Sequence, residues 1–273
     1  MPLMPTTSVI VRCRDKQNTI EATFAALRRQ SVGVQIVVVD SGSRDGTLDI
    51  ARRWCDELVQ LEPERFSYGR ALNVGAEAAA GSVLFALSAH CAPASAEWVE
   101  RSLAHYADSS VAATSGYAVP PPGARPGELV LQDHARLRAD PFCGMSNHAS
   151  SWRRDVWERF AFDEQLEACE DREWSWRVTA AGYVIAMDPA LQVVSRHRVA
   201  DGPRAYFERN VREARGVAAF APRHYGVPDA IAEWWHTSPP AGRSRTQLLL
   251  SPWHVTALAA KWWGSRCARK SIA

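Results

Sequence analysis

Two apolar runs that each end in polar residues constrain the fold of this chain most. Ile36–Val39 leads into the polar run Asp40–Gly42, and Val83–Leu87 leads into Ser88–Cys91. Short apolar runs bounded by turn residues predict buried strands. In an open α/β sheet the ligand site lies at the carboxyl ends of such strands. The sequence therefore predicts a site built from the polar residues that follow these two strands.

Strands and helices alternate from the start of the chain to Tyr117. Ser8–Cys13 predicts the first strand and Val111–Tyr117 a later one, because both are rich in β-forming residues. Between them, apolar residues at helical spacing follow Asn18, and the alanine-rich run Arg70–Ala80 predicts a further helix. This alternation predicts an α/β fold with a mostly parallel, doubly wound sheet.

The pattern changes beyond Tyr117, where prolines and glycines predict a loop. Helices are predicted around Leu129–Arg138 and over Glu170–Ala181. A strand pair at Tyr183–Met187 and Leu191–Ser195 is expected to close the core.

We expect one large domain over residues 1–220 and a helical, basic, Trp-rich C-terminal appendage over 221–273. Residues 241–273 hold six Lys or Arg residues and no acidic residue, with Trp253, Trp262 and Trp263 among them. Basic residues attract anionic lipid, and tryptophan prefers the interfacial layer of a membrane. Contact with a membrane surface is therefore one prediction, and packing of the tail on its own domain or in a dimer is the alternative.

Charge, cysteine usage and hydropathy exclude several classes of protein. The net charge of +2 gives no case for a nucleic acid partner. The six cysteines form no C-x-x-C pair, so neither a zinc ribbon nor a disulfide framework is indicated, and reduced thiols fit a cytoplasmic protein. The chain has no basic and apolar leader and no apolar run of about 18 residues, so neither a signal peptide nor a membrane span is expected.

Carboxylates at two places could carry chemistry. Asp40, at a strand tip, can accept hydrogen bonds from a base or a ribose, and a capped strand–helix turn is the alternative. Glu170 and Asp171 open a predicted helix, and one of them could act as a general base. Acids at a helix start also interact favourably with the helix dipole, so a capping role stays open.

Two histidines and an arginine are further candidates. His90 could ligate a divalent metal or touch a phosphate, and His197 follows another predicted strand. The alternative for each is a polar residue at the start of a loop. Arg70 and Asn73 share one face of a predicted helix, and Arg70 would suit a diphosphate, although a solvated surface arginine is as good a reading.

The chain contains six short segments that, taken together and in order, indicate a protein family more specifically than any single segment does. They are SVIVRCRD (Ser8–Asp15), VVDSGSRDGT (Val38–Thr47), FSYGRALN (Phe66–Asn73), LFALSAHCAP (Leu84–Pro93), EDREW (Glu170–Trp174) and SRH (Ser195–His197). As a set, over residues 8 to about 220, they resemble the family-2 inverting glycosyltransferases of the A-type nucleotide-sugar fold. Within that family they resemble a bacterial rhamnosyltransferase-like subgroup.

The resemblance implies a nucleotide-diphospho-sugar transferase fold and a role for each matching residue. Asp171, beside Glu170, would be the catalytic base. The donor would contact residues from four segments, namely Cys13, Arg14, Asp15, Asp40, Ser41, Gly42, Arg70, Asn73, Ser88 and Ala89. Residues lining the sugar and acceptor pocket would be Ser146, Asn147 and Trp174. The implied reaction is a single displacement at the anomeric carbon, from a nucleoside-diphosphate sugar to a hydroxyl of a glycan, glycolipid or lipid-linked acceptor.

One motif departs from the family pattern. The D-x-D sequence that usually holds the metal falls on Ser88-Ala89-His90, so both aspartates are absent. The metal ligands would then be His90 and the late histidine His197. This SAH form resembles the subgroup, and a divalent cation, Mn²⁺ or Mg²⁺, is the implied cofactor, although its requirement stays open.

Two other functions compete with this interpretation. A catalytically silent nucleotide-sugar-fold module that binds or scaffolds is favoured by the missing D-x-D, whereas Asp40, Glu170 and Asp171 argue for an enzyme. A dinucleotide oxidoreductase is excluded because no G-x-G-x-x-G follows the first strand. The resulting expectation is a cytoplasmic enzyme of cell-envelope polysaccharide synthesis, with peripheral contact on the inner membrane face left open.

Overall fold

The computed structural model describes residues 7–118, 127–196, 202–221 and 252–267. The strands are β1 (Thr7–Cys13), β2 (Gln35–Asp40), β3 (Glu57–Gln60), β4 (Val83–Ser88), β5 (Cys91–Pro93), β6 (Val111–Ala118), β7 (Val130–Gln132), β8 (Ala149–Arg153) and β9 (Val184–Ser195). The helices before β9 are α1 (Ile20–Arg28), α2 (Thr47–Trp54), α3 (Tyr68–Ala78), α4 (Trp98–Ala104), α5 (His134–Ala139), α6 (Arg154–Arg159) and α7 (Glu170–Ala180). Two further helices, Gly202–Phe220 and Pro252–Cys267, follow β9.

One nine-stranded sheet organises the first part of the chain. Its order is β3-β2-β1-β4-β8-β6-β9-β5, and β7 pairs with β9. Strands β1 to β4 are mutually parallel, as the alternation of strand and helix predicts. The α/β fold is thus confirmed, and the carboxyl ends of β1, β2 and β4 meet at one edge.

The second half of the sheet is mixed, because β8 lies between β4 and β6 and is antiparallel to both. Trp152 of β8 faces Leu84 on one side and Ala113 on the other, and it is fully buried. β8 is not predicted from the sequence, because its five residues Ala149–Arg153 are too short and too polar to form a recognisable apolar run. The loop that precedes β8 enters the same edge of the sheet as the ends of β1 and β4.

The helix predicted around Leu129–Arg138 is wrong in its first half. Val130–Gln132 instead forms an edge strand against β9. The helix starts only at His134, because the side chain of Asp133 accepts the peptide N–H of Arg136 over 2.8 Å and caps it. The strand pair expected after Tyr183 is one continuous strand of 12 residues, β9.

Apolar side chains alternate between the two faces of the sheet and build a core on each. Ile10 and Val39 face one cluster, which includes residues of α3, α6 and α7. Val9 and Val11 face the other, which includes residues of α1, α2 and α4. Successive strand residues point to opposite faces, so the central strands β1, β2 and β4 are buried on both.

Among the described residues, a second compact unit comprises 167–169, 202–221 and 252–267. In it the helices Gly202–Phe220 and Pro252–Cys267 pack closely: a Cβ added at Gly264 would lie 2.7 Å from the carbonyl oxygen of Val211. The two helices therefore belong to one unit, although the sequence-based boundary lies after residue 220. Of the helices in the described ranges, none is long and apolar enough to cross a membrane.

Candidate active site

Asp40 ends β2 and organises the turn that follows. Its Oδ1 accepts the peptide N–H groups of Gly42 and Ser43 at 2.9 and 3.0 Å, and its Oδ2 accepts the hydroxyl of Ser43 and the thiol of Cys13. A carboxylate offers about four acceptor sites, so these donors occupy all of them. Asp40 is only 1% exposed. A nucleoside donor group would therefore have to displace the Ser43 hydroxyl or the Cys13 thiol.

Gly42 has the backbone conformation that the turn requires. Its φ of 89° lies in the left-handed region, and an added Cβ would stand 2.5 Å from the Pro63 ring. A side chain at this position is excluded both by φ and by space. The neighbouring Ser41 donates its peptide N–H and its hydroxyl to the Cys13 carbonyl, at 3.1 and 3.3 Å.

The loop after β1 is tied to this turn by Asp15. Its Oδ1 accepts the peptide N–H of Arg44 at 2.7 Å, and its own N–H donates to the Ser43 hydroxyl at 2.9 Å. Asp15 has a φ of 51°, a conformation rare for residues other than glycine, and Arg14 before it is exposed. Burial, followed by the charge of Asp40, raises the pKa of the Cys13 thiol, so this thiol stays protonated and is no nucleophile.

Glu170 and Asp171 begin α7 but have different partners. The Oε1 of Glu170 accepts Nη1 of Arg12 and Nδ2 of Asn147, both at 3.3 Å. Asp171 accepts the peptide N–H of Asn147 on Oδ2 at 3.0 Å and that of Arg172 on Oδ1 at 2.9 Å. Burial and then the charge of Asp171 raise the pKa of Glu170, against the opposing effect of Arg12 and Asn147. Asp171 is the more accessible of the two carboxylates.

The loop 146–148 joins the acidic pair to the end of β4. The Ser146 hydroxyl lies 2.7 Å from Nδ1 of His148, and the His148 carbonyl accepts the peptide N–H of Ser88 at 3.1 Å. Burial lowers the pKa of His148, while the charge of Asp171 acts in the opposite direction. Ser146, Asn147 and His148 thus lie between the Ser88 strand end and Asp171.

Backbone contacts hold the segment Ser88-Ala89-His90 in place. The buried Ala89 carbonyl accepts the hydroxyls of Thr19 and Thr23 at 3.0 and 3.3 Å. The His90 carbonyl accepts the peptide N–H of Arg196 at 2.8 Å. The other expected ligand, His197, lies outside the described residues. Within residues 7–118, 127–196, 202–221 and 252–267, no group of three or more His, Cys, Asp or Glu side chains could hold a metal ion.

Arg70 and Asn73 of α3 both contact the segment before α7. Asn73 donates to the Phe162 carbonyl and to Glu164 at 2.9 and 3.0 Å, and its Oδ1 accepts from Trp157 and from the Phe162 N–H at 3.0 Å each. Arg70 pairs with Glu164 at 3.1 Å. The side chain of Asn73 is therefore saturated by the protein.

Trp174 lies in the core of the sheet face that carries α3 and α7. It is 0% exposed, its indole N–H donates to the Phe160 carbonyl, and its ring packs on Phe162. It therefore offers no surface to an acceptor in this structure. Of the other two residues expected in the acceptor pocket, Asn147 contacts Asp171, and Ser146 precedes it in the same loop.

Sequence reasoning missed two residues at this edge, Arg12 and His148. Arg12 lies inside an apolar strand, and a charge buried in such a strand needs a partner. Its position in the strand could therefore have identified Arg12 as a member of a buried ion pair. His148 follows Ser146 and Asn147 directly, but without a prediction of β8 nothing in the sequence places it at the end of β4.

Part of this chain resembles known glycosyltransferases in sequence. Residues 8–134 match the family described as Glycosyl transferase family 2. The chain is 27% identical over 217 residues to "Glycosyltransferase AglE" of Haloferax volcanii, over 71% of this chain and 67% of that protein. It is 27% identical over 191 residues to "O-antigen chain rhamnosyltransferase WbaN" of Salmonella anatum, over 64% of this chain and 60% of that protein. The chain thus spans less than two thirds of the latter.

Among solved structures, the fold is similar to that of the mannosyltransferase PcManGT from Pyrobaculum calidifontis in complex with GDP-Man and Mn²⁺. The TM-score is 0.70 at 18% identity, over 100% of this chain and 89% of that one. At this identity the match concerns the fold alone. Residues 8–134 therefore resemble glycosyltransferase family 2, and the chain has a GT-A fold.

Proposed function

We propose that the protein is an inverting glycosyltransferase that uses a nucleoside-diphosphate sugar. The observation that carries the proposal is the junction formed by the last two residues of β1. Cys13 contacts Asp40 of the donor-side turn, and Arg12 contacts Glu170 of the acidic pair. One strand end thus contacts both the expected nucleotide position and Glu170, the neighbour of the expected base Asp171.

The proposed reaction is a single displacement. Asp171 removes the proton from an acceptor hydroxyl as its oxygen attacks the anomeric carbon, and the bond to the nucleoside diphosphate breaks with its electron pair on the leaving phosphate. Attack opposite the leaving group inverts the anomeric configuration. The peptide N–H groups of Asn147 and Arg172 hold the Asp171 carboxylate, which fixes its orientation toward the acceptor.

We assign no step to a metal ion. A divalent cation would stabilise charge on the leaving diphosphate when bound. The described residues contribute one histidine, His90, at the position of the D-x-D motif and no cluster of three ligands. Charge stabilisation by this chain alone would come from Arg14, which is exposed in the loop after β1.

The acceptor we propose is a hydroxyl of a glycan, glycolipid or lipid-linked saccharide in cell-envelope polysaccharide synthesis. The support is the name of the Salmonella relative, an O-antigen chain rhamnosyltransferase. A rhamnosyl donor is accordingly the first to test, and other hexosyl donors follow.

We also propose peripheral contact with the inner face of a membrane. The helix Pro252–Cys267 carries Trp262 and Trp263 with 44% and 54% of their surface exposed, next to Lys261. Tryptophan beside basic residues suits the interface of an anionic bilayer. The same helix packs on Gly202–Phe220 at Gly264, while the two tryptophan side chains stay exposed.

A donor screen tests the enzymatic proposal. The purified chain is incubated with dTDP-, UDP- and GDP-sugars, with Mn²⁺, Mg²⁺ or chelator, and both the shift in Tm and the release of nucleoside diphosphate are measured. We expect one nucleotide class to raise Tm and to be turned over when acceptor is supplied. Binding without turnover for any donor and acceptor would instead support the silent binding module.

A further inference from the structure

We infer that Arg12 is a positioning residue that balances the charge of Glu170 and so keeps Asp171 free to act as the base. The inference rests on the proposed function for its catalytic part, and on the contacts of Arg12 for its structural part.

The guanidinium of Arg12 ties together three segments that are far apart in sequence. Nη1 lies 3.4 Å from the Tyr68 carbonyl at the start of α3 and 3.3 Å from Glu170 at the start of α7. Nη2 lies 3.3 Å from the Asn147 carbonyl. The guanidinium carbon also lies 5.4 Å from the centre of the Tyr68 ring. A planar, forked cation can make all these contacts at once, and an ammonium group cannot.

This cation is almost fully buried together with its acidic partner. The side chains of Arg12 and Glu170 are 14% and 6% exposed. Breaking such a pair by removing one member leaves an uncompensated buried charge, which is strongly destabilising. The other charged group that acts on Glu170 is Asp171 on α7. Asp171 in turn accepts the peptide N–H of Arg172, and its charge acts on His148 in the loop before β8.

Asn147 contacts both acids, so a change in the charge of Glu170 affects the peptide that orients Asp171. Its side-chain amide donates to Glu170 and its peptide N–H donates to Asp171, while Arg12 holds its carbonyl. If Glu170 loses its cation, it either takes up a proton or repels Asp171, and in both cases the peptide that orients Asp171 loses its support. Two adjacent carboxyls of this kind titrate as a pair.

The direction in which the stability of the protein changes with pH follows from the pKa of Glu170. Burial first, and the charge of Asp171 next, raise the pKa of Glu170 in the folded protein. A carboxyl whose pKa is raised on folding binds its proton more tightly in the folded state, so stability is lost as pH rises through that pKa. Without Arg12 this loss must be larger, because Arg12 acts to lower the pKa of Glu170.

The test compares Arg12→Met, Arg12→Lys, Glu170→Gln and the double variant Arg12→Met/Glu170→Gln with the full wild-type chain. Arg28→Met is the matched control, because Arg28 also pairs with a carboxylate, Asp56 at 3.0 Å, and also contacts backbone carbonyls, but at the amino end of β2. Tm is measured from pH 5 to pH 8, and kcat and donor KM are measured over the same range.

For Arg12→Met we expect a Tm deficit that grows as pH rises and that becomes independent of pH in the double variant. The acid limb of kcat should move to higher pH, kcat at pH 7 should fall roughly 10²-fold, and donor KM should change less than about threefold. Arg12→Lys should lie between Arg12→Met and wild type. Arg28→Met should show a constant Tm offset and an unmoved profile.

A Tm deficit of equal size at pH 5 and pH 8, or an acid limb that does not move, would overturn the inference. If Arg12→Met does not fold, the double variant decides. A double variant that also fails to fold would overturn the inference, and a double variant that folds would support it. Absence of turnover by the wild type with every donor would refute the proposed function, while the pH dependence of Tm would still decide the role of Arg12.

Discussion

The peptide N–H of Asn147 donates to the Asp171 carboxylate over 3.0 Å. Asn147 also donates through its side chain to Glu170, so one residue distinguishes the two acids by giving each a different donor. The buried acid is then held as part of the framework, and the more accessible one is oriented for proton transfer. This arrangement is the basis of the first prediction.

Asp171→Asn should lower kcat by about 10²–10⁴-fold, because a positioned general base is removed while the side chain keeps its shape. Nucleotide affinity measured by calorimetry should stay within about threefold of wild type. Asp108→Asn is the control, since Asp108 is an exposed turn carboxylate at the amino end of β6. Near wild-type turnover by Asp171→Asn would exclude this residue as the base.

Asp40→Ala should weaken nucleoside diphosphate binding by roughly 1–3 kcal/mol, the scale of a lost partner for a buried polar group. Because Asp40 accepts four hydrogen bonds in its own turn, the stability of the protein should fall as well. Ser43→Ala separates these effects, since it loosens the same turn but keeps the carboxylate. Equal losses of affinity in both variants would mean that Asp40 acts only through the turn.

His90→Ala should lower donor affinity in Mn²⁺ and leave the affinity measured in chelator unchanged, if His90 is a metal ligand. Imidazole favours later transition metals over Mg²⁺, so Co²⁺ or Mn²⁺ should support activity better than Mg²⁺. His105→Ala is the control, because His105 pairs with Asp188 at 2.7 Å at another position of the fold. Full wild-type activity in chelator would refute a metal requirement.

Asn73→Ala should destabilise the protein by about 2–4 kcal/mol, because its four partners in the segment 157–164 lose a buried donor or acceptor. Donor affinity, measured well below Tm, should not change if Asn73 only fastens this segment. Chemical denaturation and calorimetry measure the two quantities. A stable variant with weakened donor binding would instead support the contact with the donor that the resemblance implies.

Trp262→Ala/Trp263→Ala should reduce sedimentation of the full chain with anionic liposomes in low salt by about tenfold. The helix that carries both residues packs on Gly202–Phe220 through Gly264, so folding should be retained. Tyr117→Ala is the control, since Tyr117 is an aromatic residue with similar exposure, 43%, on β6. Equal binding by both variants, or no binding by the wild type, would exclude membrane contact through this helix.

The amino-acid pattern alone predicts the parallel half of the sheet and the edge that carries the candidate site. Ile36–Val39 and Val83–Leu87 are continuous apolar runs, and burial on both faces of a parallel sheet demands such runs. Asp40 and the Glu170–Asp171 pair could be identified as candidates because each stands at a recognisable position in the sequence. Asp40 follows a buried strand, and the acidic pair begins a predicted helix. These features depend only on residues that are close together in the sequence, so sequence patterns can reveal them.

The contacts of those residues follow from long-range packing, which no local pattern contains. β8 is short and takes its place only because β4 and β6 offer it two free edges, and with it come Asn147 and His148. Asn73 shares a helix face with Arg70 in the sequence, but the segment 157–164 folds over it and takes all of its hydrogen bonds. Arg12 reads as one polar residue in an apolar strand, and its partner is 158 residues away. Pairings between residues so far apart in sequence depend on the closure of the whole sheet, so no local sequence pattern could predict them.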